Sequence, residues 1–108
     1  MMQEPPPSPG AHRLPATVPG AVEAVSGGVE AIDRLLLELL SQRFALLREE
    51  ARGGTAIDYE DDDLRRAAIS AARRVAFELG VPVGLVGDFW DRLYDASAAS
   101  ARQAMREA

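Results

Sequence analysis

The chain contains no cysteine, no lysine and a single histidine among 108 residues. The missing cysteine excludes disulfide scaffolding, thiolate nucleophiles and cysteine-ligated metals together, and it suits a reducing compartment. The missing lysine leaves arginine as the only basic side chain at twelve positions. Arginine codons are GC-rich, so this reads as a composition bias, yet it means that no catalytic or anion-binding lysine exists. His12 lies in a proline-rich stretch, which argues against a histidine-based catalytic or metal site. Nor is there a run of the roughly 20 apolar residues needed to span a bilayer, or a basic N-terminus leading into an apolar segment. We therefore expect a soluble, cytoplasmic protein.

Acids outnumber bases by 17 to 12, for a net charge of −5, which opposes phosphate neutralisation along a nucleic acid. A 47% apolar content is ordinary for a globular chain, and the length allows one domain with a small core. Chains of this size often complete their burial by dimerising. No phosphate loop, serine-histidine pair or zinc spacing is present. The acids Asp58, Glu60, Asp61, Asp62 and Asp63 lack the oxygen alternation, central glycine and distal glutamate of a calcium loop, so we read them as solvated, helix-capping charges. We expect no metal and no cofactor.

Residues 1–25 hold six of the seven prolines and read as a flexible tail, with one helical domain from 26 to 108. From 29 to about 52, Ile32, Leu35, Leu36, Leu39, Leu40, Leu46 and Leu47 recur at three- and four-residue spacing, predicting an amphipathic helix that stops at Gly53, a natural left-handed cap. A polar loop over 55–63 follows, in which Asp58 or one of Asp61 to Asp63 caps a second helix running to about Leu79. That helix carries an alanine-rich stripe suited to close packing. Gly80 ends it and Pro82 opens the first turn of a third helix, which carries Leu85, Val86, Phe89, Trp90, Leu93, Tyr94 and Ser97 on one face and continues to about Met105. The expected fold is all-α.

Two polar residues interrupt these apolar faces. Arg43 sits among the leucines of helix one, where a guanidinium stays charged and demands a partner. The partner is either an acid of helix two, with snorkelling as a further alternative, or the carboxylate or phosphate of a ligand. Ser97 interrupts helix three and either bonds back to its own helix or faces a polar cavity as a donor. Arg65, Arg66, Arg73 and Arg74 read as surface charges, with Arg65 at the edge of the apolar stripe.

The stretch Ala-Ile-Asp-Arg-Leu-Leu-Leu-Glu-Leu-Leu-Ser-Gln-Arg at 31–43, and Phe-Trp-Asp-Arg-Leu-Tyr-Asp-Ala-Ser at 89–97, resemble the helical chorismate mutase family. The resemblance spans residues 26 to about 104 and is carried by the order and spacing of these motifs. It implies a three-helix protomer in an intertwined homodimer, with two equivalent sites and one arginine supplied by the partner subunit. It also implies a pericyclic rearrangement of the dianion chorismate, in which the protein positions the reactive conformer and places donors where charge develops.

Carried across, the family's central arginine matches Arg43 and its late serine matches Ser97. The first arginine of the family falls at Ser26 and its lysine at Gly54. In helix two the expected aspartate, arginine and glutamate fall at Asp61, Leu64 and Arg65, and the glutamine of helix three falls at Ala101. Gln103 points to another face. Arg52 and Arg65 are the candidate substitute cations, so the implied substrate-binding set is Arg43, Arg52, Asp61, Arg65 and Ser97, with Arg43 and Ser97 catalytic.

These departures make the implied function that of a divergent enzyme of specialised metabolism, acting on chorismate or an amino- or iso-chorismate type of ring carboxylate, with low ordinary mutase activity. Two alternatives stand beside it. One is the same fold repurposed for a different reaction on a less charged substrate, and the other is a non-catalytic helical dimer that regulates a partner enzyme.

Overall fold

A computed structural model describes residues 26–107, and the proline-rich stretch lies outside the described residues. Three helices and no strand are found among them: α1 (Gly28–Arg52), α2 (Asp62–Leu79) and α3 (Val83–Glu107). The fold is all-α. Contacts divide the chain into two compact units that part between Leu40 and Ser41, inside α1.

In the first unit, the N-terminal half of α1 carries an exposed ion pair from Arg34 Nε to Glu38 Oε1 at 3.2 Å, one helical turn apart. Its leucine-rich stripe remains open to solvent, with Ile32 46% and Leu36 54% exposed.

The second unit holds the rest of α1 with α2 and α3. Leu47 and Ala51 of α1 pack with Tyr59 of the connecting loop and with Tyr94, Ala98, Ala101 and Ala104 of α3. Small residues dominate this core because alanine lets helix backbones approach closely. Ala68 and Trp90 pack against its edge, one from α2 and one from α3.

The helix ends follow local chemistry. Asp61 has the extended backbone of an N-cap, and its side chain accepts from the backbone N–H groups of Asp63 (2.9 Å) and Leu64 (3.1 Å). At the other end of α2, Gly80 turns left-handed at φ 74° and its N–H reaches the carbonyls of Ala76 and Phe77. The N–H of Val81 closes on Ala76 at 2.8 Å, completing a Schellman-type stop.

Two positions differ from the sequence reading. The left-handed residue after α1 is Gly54, at φ 74°, rather than Gly53. The reason is that the Gly53 N–H still bonds the Glu49 carbonyl at 3.0 Å, so the helical turn continues one residue further. Pro82 lies just before α3 instead of within its first turn, and its carbonyl accepts from Val86 at 3.2 Å.

Candidate functional site

Arg43 projects from α1 towards α3, where its Nη1 donates to Ser97 Oγ at 2.8 Å across 54 residues of sequence. Ser97 is completely buried and gives its own proton to the Leu93 carbonyl at 2.7 Å. The hydroxyl therefore does two things at once: it bonds back to its helix and accepts from the arginine. The α2 acid weighed as a partner for Arg43 is not there. Among the described residues no carboxylate lies within ion-pairing distance of this half-buried guanidinium.

Aromatic rings surround the cation instead. Its Cζ lies 6.0 Å from the centre of the Phe44 ring and 5.8 Å from that of Tyr59, distances at which a ring attracts a guanidinium. Tyr59 in turn meets Tyr94 edge-on, with centroids 5.3 Å apart. Burial raises the Tyr59 phenol above its ordinary value of 10, with the Arg43 charge opposing and Tyr94 and Glu50 adding to the rise. Tyr59 was not singled out from the sequence. The available signal was a lone aromatic between two acids in an otherwise polar loop.

The other candidate residues are engaged elsewhere. Arg65 bonds Asp95 at 2.8 Å and Asp91 at 3.2 Å, two acids one turn apart on α3. The Asp95 hydrogen bond, ahead of the opposing effect of burial, pushes its pKa up. Arg52 lies 3.8 Å from Glu107, and both are exposed. Asp61 caps α2, Arg102 is paired with Glu60, and Gln103 donates to Glu107. The structure thus unites Arg43 with Ser97 and gives Arg52, Asp61 and Arg65 separate local partners.

Ala101 is buried, and with Ala98, Met105, Ile57 and Tyr59 it bounds a cavity of about 230 Å³ between the loop and α3. Among the described residues no group of three or more acids or histidines is set to hold a metal ion. No helix of the described residues is long and apolar enough to cross a membrane.

Chemically, the arrangement offers donors that an anion can accept. A guanidinium that uses one N–H on a serine retains further donors for a carboxylate, and its half-buried, ring-lined setting strengthens that attraction. Ser97 is sealed from solvent and its proton is committed to a carbonyl, so it positions Arg43 rather than acting as a nucleophile. No protein-family model, curated protein or solved structure matches the chain.

Proposed function

We propose that the protein is a divergent enzyme of the chorismate mutase type, cytoplasmic and dimeric, acting on chorismate or a related cyclohexadiene carboxylate. The observation that supports this reading is the Arg43–Ser97 pair: a half-buried guanidinium held by a buried hydroxyl, with no counter-carboxylate among the described residues. A half-buried cation of this kind is stabilised by an anionic ligand. The reaction implied by the resemblance is unimolecular and requires no base or nucleophile. Arg43 would clamp one carboxylate and fix the ring in its reactive conformer, with Ser97 setting the angle of the clamp.

Turnover would be slow. Arg65 and Arg52 are already balanced by Asp91, Asp95 and Glu107, and the positions of the family's lysine and glutamine are Gly54 and Ala101. Each missing donor typically costs about a hundred- to a thousandfold in rate. Mixing the purified chain with chorismate, isochorismate and aminodeoxychorismate tests the proposal. Turnover or saturable binding of at least one supports it, and neither with all three refutes it.

The balanced arginines also favour a second reading, a helical dimer that regulates a partner enzyme without catalysis. Arg43→Ala separates the two. It abolishes ligand binding under the first and alters only stability or partner affinity under the second. The apolar side chains of Ala98, Ala101 and Met105 in the cavity are what would favour a different reaction on a less charged ring.

A further inference from the structure

We propose that Tyr59 is a second ligand-binding residue of the Arg43 site, its phenol donating a hydrogen bond to a ring oxygen of the carboxylated ligand. The inference rests on the reading above, in which Arg43 takes the carboxylate.

Three observations carry it. First, the Tyr59 ring lies against the Arg43 guanidinium and edge-on to Tyr94, so it is held from two sides in the immediate neighbourhood of the cation. Second, the residue is only 8% exposed, yet its hydroxyl has no hydrogen-bond partner among the described residues. Among the described residues no buried side-chain polar atom is left without a partner, so the phenol oxygen, which has none, is open to its surroundings.

Third, Tyr59 lines the cavity of about 230 Å³ together with Ala98 and Ala101, and since Arg43 is not among the lining residues, Tyr59 is the residue shared between the cation and the cavity. An apolar cavity of about 150 Å³ accepts benzene, so this one has room for a substituted six-membered ring. The remaining polar groups around it are ill suited to donate to a ring oxygen. Asp58 and Glu60 are acceptors, and Arg102 is tied to Glu60. Tyr59 is the neutral O–H donor there, and Ala101, which also lines the cavity, offers no polar group.

Calorimetric titration of the full chain with chorismate and with benzoate tests this, using wild type, Arg43→Ala and Tyr59→Phe. Benzoate presents a carboxylate and a ring but no ring oxygen. Tyr59→Phe keeps the aromatic contacts and removes only the hydroxyl, so an unchanged melting temperature is expected. It should weaken chorismate by about two- to tenfold, the worth of one hydrogen bond, and leave benzoate unaffected. Arg43→Ala should abolish binding of both.

Equal affinity of wild type and Tyr59→Phe for chorismate, or equal weakening of both ligands, overturns the proposal while the carboxylate reading stands on Arg43→Ala. If wild type binds benzoate alone, the Tyr59 proposal falls and a carboxylate site remains. If it binds neither, the Tyr59 proposal falls, and if Arg43→Ala binds both as wild type does, the reading itself falls with it.

Discussion

At the scale of the residue, Arg43 and Tyr59 are bound to each other electrostatically as well as by packing. Burial raises the Tyr59 phenol and the Arg43 charge restrains the rise. The native protein therefore holds this proton more tightly than the unfolded chain. Stability from this source is complete below pH 10 and declines as pH rises from the unfolded value of about 10 through the higher folded one. Urea unfolding of wild type between pH 8 and 11 should show a steeper loss above pH 10 than Tyr59→Phe, and parallel profiles would contradict the assignment. Arg43 and Ser97 were both legible as polar interruptions of apolar helical faces, because periodicity exposes such departures. That they bond each other was not, since the register between two helices 54 residues apart depends on packing. The same gap hid the partners of Arg65, whose acids lie on α3 and not nearby in sequence. Tyr59 escaped for a different reason: periodicity says nothing about which loop residue turns inward.

At the scale of the element, the helices were legible almost in full, because leucine spacing marks α1 and caps mark the ends of α2. Asp61 is the clearest instance. It satisfies two N–H groups that the helix leaves unpaired, and its charge complements the positive end of the helix. Asp61→Ala should lower stability by about 1 kcal/mol, read as a shift in the urea midpoint at constant slope, while Asp61→Asn, which keeps the accepting oxygen, should cost little. Equal losses in both variants would mean that charge, not capping, is the main contribution. The end of α1 shows the limit of such readings. Two adjacent glycines are equally able to turn left-handed, and only the hydrogen bond from Gly53 to Glu49 places the turn at Gly54. Sequence cannot choose between them.

At the scale of the whole molecule, the all-α class was legible from composition and period, while assembly and ligand were suggested only by resemblance. Ile32, Leu36 and Leu39 form an exposed apolar stripe on α1, the kind of surface that the proposed homodimer would cover. Sedimentation equilibrium should give twice the 11.6 kDa chain mass for wild type and the monomer mass for Leu36→Glu. A monomeric wild type would remove the dimer from the account without touching the Arg43 site. That site is the central claim, and the side-chain nitrogen resonances of Arg43, assigned by their disappearance in Arg43→Ala, report on it most directly. On titration with chorismate or its amino and iso relatives, they should shift and saturate with at least one ligand as its carboxylate engages the guanidinium. Resonances that stay unmoved through the whole series would contradict the claim that Arg43 is an anion receptor.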